Sequence, residues 1–249
     1  MVVQGERPGV GGGHGFMGSI LRIEHISKDY GGLRALDDVV IEVEEGSITG
    51  LIGPNGSGKT TLFDIISGFT RPTAGRVIFD GRDITGQMPF RIARAGVGRV
   101  FQLARIFRGM TLFQNLIVYA KPGGDAKQRV WEILRFLKLD HLAHQSAQGL
   151  SYGQQRLLEL GCVLMMEPKL ILLDEPAAGI NPALLEDVME HIRELARRGK
   201  TIFIIEHNIP LVANLCQRVV VLDSGRLLAE GDPQTVLNDA RVREAYLGG

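Results

Sequence analysis

The chain has little of what would classify it by composition alone. Across 249 residues it carries no net charge, Lys+Arg and Asp+Glu both counting 28. A neutral balance gives no support to a general nucleic-acid surface or an anionic-membrane surface. There are only two cysteines, Cys162 and Cys216, neither close in sequence nor in a metal-ligand spacing. They read as small buried apolar residues of a reducing compartment. No apolar run approaches the ~18–20 residues of a membrane-crossing helix. The first 18 residues hold Gly5, Gly9, Gly11, Gly12, Gly13 and Gly15 and lack the apolar core of a secretory signal. They are expected to form a flexible tail or a mis-assigned start, with Met17 as an alternative initiator. What remains is long enough for one large domain or two small ones, with a core that needs no staples.

Ile20 to Ile26 and Val39 to Val43 alternate apolar and polar residues, the pattern of half-buried strands. Ser47 to Ile52 leads into a glycine-rich loop, and Lys59 to Ile66 reads as a helix. Arg76 to Phe79 followed by Asp80-Gly81 reads as part of an antiparallel hairpin. From Gln102 to Leu150 the character turns helical, with Val130, Ile133, Leu134 and Leu137 on one helix face. Gln155 to Met166 predicts another helix. Leu170 to Leu173, Thr201 to Ile205 and Val219 to Leu222 are continuous apolar strands, as in a parallel sheet covered on both faces. Asn181-Pro182 caps and starts a helix whose stripe is Leu184, Leu185, Val188, Ile192 and Leu195, and Gly199 stops it. Asp223-Ser224-Gly225 turns the chain back into Arg226 to Ala229, and a short helical closure begins near Val236. The order predicts an α/β fold with a sheet core and an antiparallel β layer beside it.

Two motifs carry chemistry. Gly53-Pro54-Asn55-Gly56-Ser57-Gly58-Lys59-Thr60, followed by Thr61, matches a phosphate-binding loop at every fixed position and has the required strand before it and helix after it. Glycines let backbone N–H groups approach phosphates, and the helix N-terminus favours negative charge. Lys59 is expected to reach the β- and γ-phosphates and Thr60 to offer its hydroxyl to Mg²⁺. Asp174 and Glu175 follow a buried strand, hence lie at its carboxyl end beside that loop. Asp174 suits a role in holding Mg²⁺ through water, and Glu175 suits general-base activation of a water. Read alone, such a pair is also compatible with a solvated acidic turn.

Leu150-Ser151-Tyr152-Gly153-Gln154, shortly before Leu170-Ile171-Leu172-Leu173-Asp174-Glu175-Pro176, resembles the signature of ATP-binding cassette (ABC) ATPases. Three further positions fall in family order. Tyr30, in Asp29-Tyr30-Gly31-Gly32, resembles the aromatic that stacks on adenine; alone it could be an edge aromatic. Gln102, after Val100-Phe101, resembles the glutamine that senses Mg²⁺ and the attacking water; alone it is a strand-end residue. His207 resembles the switch histidine that contacts the γ-phosphate, although a lone histidine is more often structural. The resemblance covers about residues 20 to 249. It implies a P-loop NTPase domain over 19–249 with a RecA-like core, an antiparallel β subdomain and an α-helical subdomain inserted at about 103–165. It also implies that Ser151, Gly153 and Gln154 cover ATP held by a second ATPase subunit, an identical copy or a related chain, with the following helix aiming its positive end at the γ-phosphate.

Two departures stand out: Tyr152 where a glycine is usual, and Asn181 where many relatives have Asp. With Asp-Glu-Pro-Ala-Ala-Gly-Ile-Asn-Pro, Ile-Glu-His-Asn and the ending Glu244-Ala245-Tyr246-Leu247-Gly248, they look like the ATPases of branched-chain amino acid uptake. Gln114-Asn115 stands where Glu-Asn is usual, and the insert before Leu150 is short. Both lie near the expected permease-contact region, for which Arg105, Ile106, Phe107 and Met110 are candidates; a core role for Ile106 and Phe107 is also open. The resemblance implies a motor at the cytoplasmic face of the inner membrane, bound to transmembrane permease subunits and served indirectly by a periplasmic or extracellular substrate-binding protein. Alternatives are the motor of urea or amide uptake, or of lipopolysaccharide export. A non-transport ABC protein fits less well, since those usually carry tandem cassettes or long coiled-coil inserts.

Overall fold

The computed structural model describes residues 18–102, 104–121 and 124–247. The expected tail, up to residue 17, and Gly248 of the terminal motif lie outside the described residues. Two sheets make the frame. The chain opens with β1 (Ser19–Tyr30) and β2 (Leu33–Glu44), a long antiparallel hairpin. Then come β3 (Ile48–Ile52), α1 (Lys59–Ile66), β4 (Ala74–Phe79) and β5 (Arg82–Asp83). Asp80 and Gly81, both at positive φ (49° and 72°), form the tight turn that the Asp-Gly pair predicted. α2 (Pro89–Ala95) and β6 (Val97–Val100) follow.

The middle of the chain holds α3 (Leu112–Ile117), α4 (Ala126–Phe136) and α5 (Tyr152–Met165). The rest alternates as β7 (Leu170–Asp174), α6 (Pro182–Arg197), β8 (Thr201–Ile205), α7 (Ile209–Leu215), β9 (Arg218–Asp223) and β10 (Arg226–Gly231). It ends with α8 (Pro233–Asn238) and α9 (Ala240–Leu247).

The antiparallel sheet runs β2-β1-β4-β5, and the second runs β10-β9-β3-β8-β7-β6. In the latter, β9, β3, β8, β7 and β6 are parallel, and β10 closes one edge antiparallel to β9. Side chains of a strand alternate between faces, and here the alternation separates two cores. Leu170, Leu172, Phe203 and Ile205 pack with α1 and the antiparallel sheet. Ile171, Leu173, Ile202 and Ile204 pack with α5, α6, α7 and the terminal helices. All five residues of β3, of β7 and of β8 are buried, which is why Leu170–Leu173 and Thr201–Ile205 read as continuous apolar strands.

The segment from Gln102 to Leu150 departs from its expected helical character. Among the described residues only α3 and α4 are α-helices there, with two short 3₁₀ turns at Asp140–Leu142 and Ala147–Gly149. The loop before α3 is held by buried Asn115, whose side chain bonds Phe107 N–H (2.8 Å) and the carbonyls of Phe107 (3.0 Å) and Thr111 (2.9 Å). Gln114 acts locally. With Thr111 it closes a capping box, Thr111 Oγ1 accepting from Gln114 N–H and Gln114 Oε1 from Thr111 N–H. That structural role explains a glutamine at this position without reference to cargo.

Candidate functional site

The site gathers at the carboxyl ends of the parallel strands, where an open α/β sheet places its ligands. β3 delivers the glycine loop. Gly53 has φ 146°, and a Cβ there would lie 2.0 Å from the Leu222 carbonyl oxygen. Gly58 has φ 101°, and a Cβ would meet the Ala35 carbonyl oxygen at 2.6 Å. α1 starts after Gly58 with no side-chain cap hydrogen bond on its first N–H groups. Lys59 is buried, and its Nζ donates to the carbonyls of Gly53 (2.8 Å) and Pro54 (2.8 Å) and to Ser57 Oγ (3.3 Å). Burial lowers the lysine pKa, against the opposing pull of Glu175 and Asp174.

β7 delivers the two carboxylates, and they part at once. Asp174 is buried and accepts from Arg99 Nη2 at 2.9 Å; the same guanidinium reaches Asp64 on α1 at 2.6 Å and Ser67 Oγ at 2.9 Å. Glu175 has the left-handed φ of 48° and keeps its N–H on Ile205 O (3.0 Å). Its carboxylate turns the other way. Gln102 Nε2 donates to Glu175 Oε2 at 2.9 Å, and His207 Nε2 lies 2.9 Å from Oε1. So Gln102 from the end of β6, Glu175 from β7 and His207 from beyond β8 meet at one group. Behind them Glu206 is buried, accepting from the N–H groups of Ala177 (2.8 Å) and His207 (3.2 Å); burial raises its pKa.

A cavity of about 350 Å³ is lined by Tyr30, Leu33, Arg34, Ala35, Asn55, Gly56, Gly58, Lys59, Thr60, Thr61, Glu175 and His207. Tyr30 sits at the tip of the β1–β2 hairpin, half exposed, with Lys28 Nζ 4.7 Å from its ring centroid. Gly53, Pro54, Ser57, Asp174 and Gln102 do not line the cavity themselves but bond to residues that do or adjoin them in the chain. Ser151, Gly153 and Gln154 are not part of the lining at all.

These three begin α5 elsewhere. Ser151 is the N-cap, its Oγ accepting from Gln154 N–H (3.3 Å) while Gln154 Oε1 accepts from Ser151 N–H (3.0 Å). Gly153 is buried where a Cβ would meet Leu184 Cδ2 at 1.9 Å, so its lack of a side chain lets α6 lie against α5. Tyr152 uses the side chain that a glycine would lack. Its hydroxyl donates to Gln102 O at 3.2 Å, and its ring covers Gly179. Asn181 caps α6, Oδ1 accepting from Leu184 N–H at 3.0 Å, a role that Asn and Asp fill about equally well.

Sequence reasoning gave no role to three groups that organise this site. Arg99 bridges Asp64 and Asp174. Arg156, buried on α5, donates to the carbonyls of Phe101, Asp174 and Glu175. Glu159, one turn on, accepts from Phe101 N–H (3.3 Å) and Arg105 N–H (3.2 Å), and burial raises its pKa. The signal in the sequence was an Arg and a Glu three residues apart on the face of an otherwise apolar helix. Among the proposed permease contacts, Ile106 packs against the core, whereas Phe107 and Met110 are exposed.

A profile of the ABC transporter family matches residues 36–178, and a profile of branched-chain amino acid ATP-binding cassette transporters matches residues 226–249. The probable branched-chain amino acid transport ATP-binding protein LivG of Archaeoglobus fulgidus is 40% identical over 92% of this chain and 95% of its own. The lipopolysaccharide export system ATP-binding protein LptB of Haemophilus influenzae is 34% identical over 92% of this chain and 98% of its own. The crystal structure of an ATP-binding cassette of an ABC transporter in its ADP conformation superposes with a TM-score of 0.85 at 39% identity, covering 93% of this chain and 99% of that one.

Proposed function

The chain belongs to the ABC transporter family as an ATP-binding cassette, and from that premise we propose that it is the ATP-hydrolysing subunit of an importer of branched-chain or other hydrophobic amino acids. The observation that carries the chemistry is the Glu175 carboxylate, held at the cavity edge between the Gln102 amide and His207 at 2.9 Å each. ATP would stack its adenine on Tyr30 and lay its phosphates along Gly53–Thr61. Lys59 would exchange the carbonyls of Gly53 and Pro54 for the β- and γ-phosphates. Glu175 then takes the proton of the attacking water as general base, and His207 steadies the γ-phosphate end.

The Thr60 hydroxyl, the Asp174 carboxylate and the Gln102 amide oxygen form a hard-oxygen donor set that fits Mg²⁺. Among the described residues no group of three or more His, Cys, Asp or Glu could hold a metal unaided. Bound to that oxygen set, Mg²⁺ would supply charge neutralisation for the phosphates of ATP.

Ser151, Gly153 and Gln154 lie off the cavity of their own chain. This supports their acting on ATP held by a second cassette, so that two ATP molecules close a dimer and hydrolysis reopens it. Phe107 and Met110, exposed on the segment that follows Gln102, suit contact with transmembrane permease subunits. The chain would thus sit at the cytoplasmic face of the membrane through those subunits, with a substrate-binding protein delivering cargo from outside. No helix among the described residues is long and apolar enough to cross a membrane. Lipopolysaccharide export is the second reading, favoured by the 34% identity to LptB. Reconstitution in vesicles with its permeases tests the choice. Leucine, isoleucine or valine, with a binding protein, should stimulate ATP hydrolysis; stimulation by lipopolysaccharide alone would overturn the uptake reading.

A further inference from the structure

The last helix of the chain reaches back to the nucleotide loop. Tyr246 on α9 lies 193 residues from Gly53, yet its hydroxyl oxygen accepts the Gly53 N–H at 2.7 Å. The need for that acceptor follows from the sheet. The ladder of β3 with β8 ends at Leu51↔Ile205, and the ladder with β9 ends at Ile52↔Val221. Gly53 is the next residue, so its N–H leaves the sheet without a strand partner. A buried amide in that position must find another acceptor.

The backbone cannot turn away to find one. At φ 146°, Gly53 is pressed so close to Leu222 O that a Cβ would stand 2.0 Å from it. The carbonyl of the same residue is already engaged by Lys59 Nζ at 2.8 Å. Gly53 is thus gripped from both sides, by the lysine within the loop and by the tyrosine from the chain's far end. Val242, 2% exposed, anchors α9 to the core one turn before Tyr246. The Tyr246 ring packs against the same core. Burial raises the phenol pKa, so the hydroxyl stays neutral.

We propose that Tyr246 is a positioning residue for nucleotide binding: by holding the first amide of the loop it fixes the geometry that receives the phosphates, and the docking of α9 therefore sets ATP affinity. The inference rests on the loop's being the ATP site. Tyr246→Phe keeps the ring and removes only the hydroxyl. Binding of ATPγS without Mg²⁺ should weaken by roughly 5- to 10-fold, the scale of one net hydrogen bond. KM for ATP should rise in parallel, with kcat changed by less than about twofold, the pattern of lost uniform binding. Deuterium exchange of the peptide that carries Gly53 should quicken. Unchanged Kd, KM and exchange would overturn the inference, and so would a lowered melting temperature with unchanged Kd, which marks a purely structural bond. A wild-type protein that binds no ATPγS would instead overturn the reading of the loop.

Discussion

Two helix N-termini of this chain carry the proposed nucleotide contacts, and they are built in opposite ways. α1 opens at Gly58 with no side-chain cap, under a buried lysine and a backbone that tolerates no Cβ at Gly53 or Gly58. α5 opens at Ser151 with its capping box closed on itself, exposed and outside the cavity. The first corner stores its order in backbone geometry, so a single chain can hold a ligand there. The second pairs two of its own donors in the capping box. The difference matches a division of labour in which one corner binds and the other completes a neighbour's site.

Glu175→Gln, at the edge of the first corner, gives the largest expected effect. Turnover should fall by about 10²–10⁴, the usual worth of a general base. With ATP and Mg²⁺ the variant should elute from size exclusion as a dimer. A monomer under those conditions, from an enzyme whose wild type turns over, would break the paired-corner account. Gly53→Ala comes next. Its Cβ meets backbone at Leu222 O, and strain of about 1–3 kcal/mol should weaken ATP binding by roughly 10- to 100-fold even in the monomer. Titration with a fluorescent ATP analogue reads it out.

Ser151→Ala should have the smallest effect on a single chain and so sharpens the comparison most. Removing the cap should cost about 1 kcal/mol of stability, measurable by urea unfolding. ATP affinity of the monomer should stay at the wild-type value while turnover of the assembled dimer falls. Equal losses in monomer binding would place both corners in one site.

Legibility followed the range of the interactions. The strand–loop–helix around Gly53–Thr60 and the unbroken apolar runs of β7 and β8 were readable because neighbours in sequence fix them. Asn181 and Gly199 marked the limits of α6 for the same reason, Gly199 standing at φ 79°. α2 and α7, of seven residues each, show too few turns for a helical period to register. The stretch from Gln102 to Leu150 read as helical because its apolar residues are plentiful, yet much of it is loop stitched by Asn115. Arg99 was not legible as a bridge, since its partners Asp64 and Asp174 lie 35 and 75 residues away.

The three carbonyls gathered by Arg156 carry a mechanical consequence. Phe101 precedes Gln102, Asp174 ends β7 and Glu175 follows it, and all three carbonyls are fastened to α5 by one buried guanidinium. Tyr152, at the tip of the same helix, adds a fourth tie through Gln102 O. α5 is therefore tied through Tyr152 and Arg156 to the backbone that carries Gln102 and Glu175, while its N-cap Ser151 is exposed. A tilt imposed on Ser151 from outside would displace Gln102 and Glu175, the residues proposed to align the attacking water. In the proposed dimer, parting the two cassettes and disarming each of them would be a single movement.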